Sequence, residues 1–307
     1  MNNKKKFDTP VLFIIFNRPE TTKKVFEAIR KYKPSKLFVA ADGPREGKLG
    51  EQERCEEARK ITEQIDWPCE VKRLYRKKNL GCKLAVSGAI TWFFENVEEG
   101  IILEDDCLPN PSFFTFCEQM LELYRNDKKV MCISGDNFLP TQMQKGNGYY
   151  FSKYIHIWGW ATWRRAWKNY DVNIKDWPEV KKKGIINKYF DSFLEKTYWQ
   201  TLFGAVYRGK INTWDYQFVY HVWRNSGFSV AVGVNLVKNV GFTKGATHLN
   251  TNPRLLLDND VEIVKEPKPL GRKFSDLAER YTKEHIFRIS LLGAIKQFIY
   301  YYVINGS

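Results

Sequence analysis

Apolar runs cut short by polar clusters set the rhythm of the first half of this chain. Pro10 to Phe16 is one such run, and it stops at Asn17-Arg18-Pro19-Glu20. From Thr21 to Lys31 the apolar positions Val25, Ala28 and Ile29 fall at helical spacing, which predicts a β-loop-α unit. The pattern then recurs. Lys36 to Ala41 predicts a strand ending at Asp42-Gly43-Pro44, with a charged helix from Glu51 to Gln64 behind it. Val71 to Tyr75 predicts a third strand, Asn79-Leu80-Gly81 a turn, and Lys83 to Glu95 a helix. Gly100 to Leu103 reads as a strand buried on both faces, and it ends abruptly at Glu104-Asp105-Asp106. Pro109 and Pro111 bring the chain round into a helix from Phe113 to Tyr124, and Val130 to Gly135 predicts a strand ending at Asp136-Asn137. Strands alternating with helices predict an α/β fold: a mostly parallel central sheet flanked by helices, with right-handed crossovers.

The second half is patterned differently. From Tyr149 to Trp167 aromatic residues crowd together around Ile157-Trp158-Gly159-Trp160-Ala161-Thr162-Trp163. Trp177 to Arg208 predicts an amphipathic helix with Phe190, Phe193, Leu194 and Trp199 on its apolar face. Thr213-Trp214-Asp215-Tyr216-Gln217 sets an acid among aromatics before a helix from Phe218 to Trp223, and Val230 to Val237 predicts a strand. Asn239 to His248 is a glycine-punctuated loop able to cover a ligand. After Pro267-Lys268-Pro269 the composition shifts, and His285 to Ile304 is rich in Ile, Leu, Phe and Tyr. Arg288 and Lys296 inside that run argue against a transmembrane helix. A basic amphipathic helix on an anionic leaflet and a helix docked on the domain are both open.

A chain of 307 residues, 43% of them hydrophobic, can bury one large core. Its 49 Lys and Arg exceed 35 Asp and Glu, a net charge of +14 that favours anionic partners without choosing among nucleic acid, lipid and phosphorylated ligands. The six cysteines show no CxxC pair and no metal-ligand spacing, which predicts reduced thiols. The opening Met1-Asn2-Asn3-Lys4-Lys5-Lys6 leads into a strand without the apolar stretch of a secretory signal, so the expectation is a cytoplasmic protein.

Three adjacent carboxylates repel one another, and at the end of a buried strand a hard divalent cation, Mn²⁺ or Mg²⁺, makes them favourable. A solvated acidic turn is the bland alternative. Arg18, Asp42 and the Glu104–Asp106 cluster all follow predicted strand ends and so gather at one edge of the sheet. A guanidinium suits a phosphate, and Asp42 can accept from a base or ribose, although Asp42-Gly43-Pro44 also fits a plain turn. Asp215 among aromatics is a candidate general base, or a helix N-cap. The tryptophans can stack on sugar rings or fill a core, and with Arg164, Arg165 and Lys168 among them they can also stack on single-stranded nucleic acid. A solitary histidine such as His248 is seldom a metal ligand.

Taken in order, these residues resemble a GT-A fold (Rossmann-like) glycosyltransferase of the N-acetylglucosaminyltransferase I type, an inverting, metal-dependent class. Phe16-Asn17-Arg18 resembles its first nucleotide-binding loop and Ala41-Asp42-Gly43 its second, where the acid meets the base. Gly81 to Ala85, with Ser87, resembles the helix bordering the nucleotide, which implies Lys83 and Ser87 as donor contacts. Glu104-Asp105-Asp106 with Pro109 and Phe113-Phe114 resembles the acidic motif, implying Glu104 and Asp105 at the donor and Asp106 on the metal. Trp214-Asp215 resembles the catalytic-base position, and Gly241-Phe242 to His248 the donor-covering loop, with His248 a second metal ligand. The likeness spans residues 10 to 250. It implies a catalytic domain over 1–250, with a nucleotide half at about 10–140 and an acceptor half at about 141–250, and a C-terminal helical tail over 251–307. The reaction implied moves a sugar, GlcNAc in that family, from a nucleoside diphosphate sugar such as a UDP-sugar to a glycan or lipid-linked hydroxyl. The run Trp158 to Trp163 is similar to bacterial surface-polysaccharide transferases, implying Trp158, Trp160 and Trp214 at the acceptor and a peripheral contact of the tail with the inner membrane face. The rivals are a sugar-nucleotide nucleotidyltransferase and a nucleic-acid-binding protein, nucleic acid being the weaker expectation.

Overall fold

In the computed structural model, residues 8–144, 146, 148–241, 267–291, 293, 300 and 301 are described. The chain opens with β1 (Val11–Ile15), α1 (Pro19–Tyr32), β2 (Lys36–Ala41), α2 (Glu51–Ile61), β3 (Glu70–Tyr75), α3 (Gly81–Asn96) and β4 (Glu99–Glu104). It continues through β5 (Cys107–Pro109), α4 (Pro111–Tyr124), β6 (Val130–Ser134), β7 (Gly148–Ser152), β8 (Trp160–Trp163), α5 (Arg164–Trp167), α6 (Trp177–Lys182), α7 (Phe193–Tyr207) and α8 (Asp215–Arg224). The last elements are β9 (Phe228–Val232), β10 (Val237–Asn239), β11 (Lys268–Phe274) and α9 (Asp276–Tyr281).

Nine strands form one sheet in the order β11-β7-β9-β6-β8-β4-β1-β2-β3, and β10 pairs with β5 in a separate ribbon. The sheet is mostly parallel and flanked by helices, as the alternation predicts. β1 lies parallel to both β2 and β4, with Val11 opposite Leu37 and Ile101. Every residue of β1 and of β6 is buried, as expected of strands covered on both faces. β8 is antiparallel to β4 on one side and to β6 on the other, and so joins the two halves of the sheet. The connection from β1 runs outward through β2 to β3, then returns to place β4 on the other flank of β1. A crevice therefore opens between the ends of β1 and β4, where ligands bind in open α/β sheets.

Local chemistry explains the boundaries. α1 begins with Pro19 at its first position, carries Glu20 in its first turn and Arg30 and Lys31 in its last, and stops at Lys33 in the left-handed region (φ 56°). α4 is capped by the Asn110 side chain, which accepts from the Phe113 N–H at 3.2 Å, with Pro111 following. Gly100 is a case of close approach: a Cβ there would lie 2.3 Å from the Phe93 ring and 2.8 Å from the Pro10 carbonyl. Any other residue would push β4 away from α3 and β1.

Three expectations are corrected. The single helix over Trp177–Arg208 is two helices, α6 and α7, because Gly184 adopts φ 63° and Phe190 is extended; Phe193, expected on the apolar face, is 83% exposed. The strand over Val230–Val237 divides into β9 and β10, which belong to different sheets. β11 pairs parallel with β7, and its neighbour α9 is tied down by Glu279, which accepts from the Ser152 hydroxyl at 2.7 Å and the Lys153 N–H at 3.1 Å. Residues 268–281 are thus built into the domain rather than hanging from it as a tail. No helix of the described residues is long and apolar enough to cross a membrane.

Candidate active site

The three carboxylates sit where β4 ends and the chain turns into β5. Asp105 points inward and is 2% exposed; its Oδ2 accepts from the Phe16 N–H at 3.0 Å, tying the acidic turn to the end of β1. Arg18, from the loop after β1, bridges the cluster, with Nη2 2.5 Å from Asp105 Oδ1 and Nη1 2.9 Å from Asp106 Oδ2. Burial works against the Arg18 charge, yet Asp105 and then Asp106 hold its pKa above the usual arginine value. One guanidinium does not balance three acids. Burial first, and then the Asp106 and Asp105 charges, push the Glu104 carboxyl well above the ordinary carboxylate range. Burial raises Asp105 too, against the pull of Arg18. The second Asp106 oxygen, Oδ1, receives a weak S–H bond from Cys107 at 3.4 Å.

Gly241 closes this corner. The Val240 N–H donates to the Asp106 carbonyl at 2.7 Å, and a Cβ on Gly241 would fall 2.5 Å from Asp106 Oδ2 and 2.8 Å from Arg18 Nη1. The backbone leading into the glycine-punctuated loop therefore rests directly on the acid-guanidinium pair. His248 and the loop from 242 onward lie outside the described residues.

The first nucleotide-loop residues are at the same edge but partly engaged. Phe16 carries the Arg45 guanidinium 5.7 Å above its ring, and Asn17 donates from Nδ2 to Glu51 at 2.9 Å. Glu51, 5% exposed, also takes the Arg45 side chain and the Arg45 N–H. Asp42 lies at the end of β2 as expected, but its carboxylate accepts from the N–H groups of Gly43 (2.9 Å), Leu80 (3.0 Å) and Gly81 (3.1 Å). It caps the start of α3. Ser87 is 6% exposed and donates back to the Lys83 carbonyl at 2.6 Å within its own helix. Lys83 donates from Nζ to Asn173 at 3.1 Å, bridging α3 to the segment before α6.

Asp215 opens α8 on the facing side of the crevice. Its Oδ1 accepts from the Thr213 hydroxyl and from the Tyr216 N–H at 2.8 Å. The turn is held from below by Tyr170, whose hydroxyl donates to the Trp214 carbonyl at 2.8 Å and whose ring stacks on Trp167 at 4.1 Å. The Asp215 charge adds, as the smallest of several causes, to the raised pKa of Glu104. Cys82, exposed on the first turn of α3, has its thiol pushed up to about 12 by desolvation and then by the Glu104, Asp215 and Asp106 charges. Cys82 was missed in the sequence, where nothing distinguishes it from the buried thiols; all six cysteines are free.

The aromatic cluster divides. Trp160 is 1% and Trp214 3% exposed, stacked on each other at 5.8 Å, so their faces are spent on the core and are not open to an acceptor. Only Trp158 of the three expected acceptor contacts keeps some exposure, set edge-on to Phe138 at 5.0 Å. Asp136 was also missed as a special residue. It is 1% exposed, and burial pushes its pKa well up, against the pull of its own backbone N–H and that of Trp158.

No protein-family model matches the chain, and no curated protein matches it. Among solved structures it is similar to the mannosyltransferase PcManGT from Pyrobaculum calidifontis in complex with GDP-Man and Mn²⁺, at TM-score 0.39 and 9% identity, over 72% of this chain and 70% of that one. It is also similar to UDP-glucose pyrophosphorylase complexed with UDP-glucose, at 0.37 and 10%, over 76% and 94%. A third is 4-diphosphocytidyl-2C-methyl-D-erythritol synthase from Anaerococcus prevotii, at 0.33 and 9%, over 52% and 72%. These are distant likenesses, and the reading of the site rests on its own geometry.

Proposed function

We propose that the protein is a metal-dependent glycosyltransferase that moves a sugar from a nucleoside diphosphate sugar to an acceptor hydroxyl. One observation carries this reading: at the end of β4 an acidic turn is tied by Asp105 to the Phe16 N–H and bridged by Arg18 from the loop after β1, at the sheet edge where ligands bind in open α/β folds. The donor set fits a hard cation. Asp106 is the carboxylate at the mouth, its Oδ2 held by Arg18, and among the described residues no group of three or more His, Cys, Asp or Glu is placed to hold a metal ion without oxygens from a ligand. A site of that kind suits Mn²⁺ or Mg²⁺ held by one or two carboxylates together with diphosphate oxygens. The ion's contribution when bound is to stabilise negative charge on the departing diphosphate.

The chain's own residues do the rest. Arg18 holds Asp105 and Asp106 in place and presents a guanidinium at the position of a phosphate. Asp105 fixes the β1 loop through the Phe16 N–H, so nucleotide contacts at Phe16 and Asn17 move with the acidic turn. Glu104, held toward its neutral form by burial and by the Asp106 and Asp105 charges, ionises readily there only when a cation balances the cluster. Asp42 orders the turn into α3 by binding its amides, and Lys83 and Ser87 shape that wall, so these three act on the nucleotide through the backbone they position. Asp215, oriented by Thr213 and the Tyr216 N–H, is the general base that takes the proton of the attacking hydroxyl, with inversion at the anomeric carbon. His248, outside the described residues, would be the second metal ligand in this reading.

The test is a calorimetric titration of UDP, GDP, dTDP and CMP with and without Mn²⁺, on wild type, Asp106→Ala and Asp215→Asn. One nucleotide should bind in a metal-dependent way, lose binding in Asp106→Ala and keep it in Asp215→Asn. Turnover of the matching nucleotide sugar should fall by about 10²–10⁴-fold in Asp215→Asn. Full activity in that variant would remove Asp215 as the base. Pyrophosphate release from a sugar 1-phosphate and a nucleoside triphosphate would instead make the protein a nucleotidyltransferase.

A further inference from the structure

Beside the α8 carboxylate lies a second feature that the donor site does not use. Tyr198 and Leu202 of α7, Tyr216 of α8, and Phe287, Arg288, Tyr300 and Tyr301 of the C-terminal segment line an open cleft of about 440 Å³. Tyr216 is the residue after Asp215, and its phenol lies in the electrostatic reach of Asp215, Tyr198 and Tyr301 together. The cleft and the base thus share the first turn of α8, on adjoining residues. Its far wall is fixed rather than loose: the Phe287 ring packs 4.9 Å from Trp199 and 5.2 Å from Tyr154, both core residues.

The lining has a definite chemistry. Phenols present hydroxyls that both donate and accept, on rings whose faces suit the apolar faces of a pyranose. Tyr300 and Tyr301 meet edge to face at 5.1 Å, so one ring can lie under a sugar while the other closes its side. Arg288 stands at the rim, exposed, with a left-handed backbone (φ 50°) and no carboxylate partner among the described residues. An exposed arginine with no carboxylate partner among the described residues, beside hydroxyl-bearing rings, is matched by a ligand that carries both hydroxyls and a negative charge. Resting on the transferase reading, we propose that this cleft is the acceptor subsite and that it takes a sugar ring bearing an anionic group. That group is either the carboxylate of an acidic sugar or a phosphate on the ring.

Three probes separate these sources: p-nitrophenyl glucuronide, glucose 1-phosphate and the neutral p-nitrophenyl glucoside. They are titrated by calorimetry and saturation-transfer NMR against the full chain with Mn²⁺ and saturating UDP or GDP, so that the donor site is filled. One anionic probe should bind at least about tenfold more tightly than the glucoside. Arg288→Met should erase that difference while leaving glucoside binding and nucleotide binding where they were. Tyr216→Phe should weaken both anionic and neutral sugars, with an unchanged melting temperature showing that the fold is kept. Equal binding of all three probes, or selectivity that survives in Arg288→Met, overturns the proposal. Arg288-dependent binding to vesicles of anionic lipid, without binding of the soluble sugars, also overturns it and makes the cleft a headgroup site. Should no nucleotide bind at all, the transferase reading fails on its own, while the anionic selectivity of the cleft is still read from Arg288→Met.

Discussion

Replacing Arg18 by methionine removes the one positive charge that bridges the acidic turn among the described residues. Asp105 is then left 2% exposed with its remaining bond to the Phe16 N–H, and Asp106 loses the guanidinium 2.9 Å from Oδ2. Breaking a fully buried ion pair costs about 3–5 kcal/mol. Arg18 is 39% exposed, so solvent screens part of its charge, and about 2–3 kcal/mol is the expected loss here. For a chain of this size that is a fall in Tm of about 3–5 °C by differential scanning calorimetry. A divalent cation bound at Asp106 should restore part of it. At ten times its Kd, Mn²⁺ returns about 1.4 kcal/mol to any state that binds it only when folded. Because Arg18→Met offers Mn²⁺ an acidic site without a competing guanidinium, the rise in Tm should be larger than in wild type, and should vanish in Arg18→Met/Asp106→Asn. A Tm for Arg18→Met that Mn²⁺ leaves unmoved would refute the view that these carboxylates form a cation site.

Other substitutions probe separate parts of the structure. Trp160→Ala should cost about 3–5 kcal/mol in urea unfolding, because it empties a core position, and should leave acceptor KM unchanged in whatever folded protein remains; a large KM effect without loss of stability would return the residue to the acceptor site. Gly241→Ala forces a methyl against Asp106 and Arg18 and should weaken metal-dependent nucleotide binding by about tenfold or more in calorimetry, an expectation that unchanged affinity would defeat. Glu279 is raised by burial to about 7 from the usual 4.5, despite the Ser152 and Lys153 bonds. A carboxyl whose folded pKa lies above its unfolded value stabilises most below the unfolded value and loses that contribution as pH rises through the folded one. Wild-type stability relative to Glu279→Gln should therefore fall between about pH 5 and pH 8, and a difference that stays flat across that range would place the carboxyl in a less perturbed state.

What could be read from the residues, and what could not, follows from how local each signal is. β1, β2 and β4 are apolar runs that end at polar residues, and their fate is written in a few consecutive positions. Their order in the sheet follows from right-handed crossovers, so the meeting of Arg18 with the acidic turn was legible before any coordinates. The WATW strand β8 was not, because its partners lie 26 to 64 residues upstream, and four buried residues have the same composition as an exposed aromatic platform. Trp160 and Trp214 were misplaced for that reason: an indole gives no sequence sign of whether its face meets a sugar or another indole. Asp42 shows a related ambiguity. A carboxylate at a strand end can serve a ligand or the next helix, and the three amides that claim it come from Gly43, Leu80 and Gly81, two of them more than 35 residues away. The break between α6 and α7 hinges on Gly184 and an extended Phe190, too slight a mark in an otherwise helical pattern.

The position of β8 also bears on how the protein is made. Residues 11–104 contain a complete set of β-α units that can assemble as they leave the ribosome, with local crossovers and no need of later sequence. In that state one side of β4, an all-apolar stretch from Ile101 to Leu103, has no neighbour until Trp160–Trp163 arrives to pair with it. At about 5–20 residues per second, the roughly 60 residues between them take about 3–12 s to synthesise. For that interval the nascent domain carries an open hydrophobic edge, the kind of surface that recruits chaperones or a second unfinished chain.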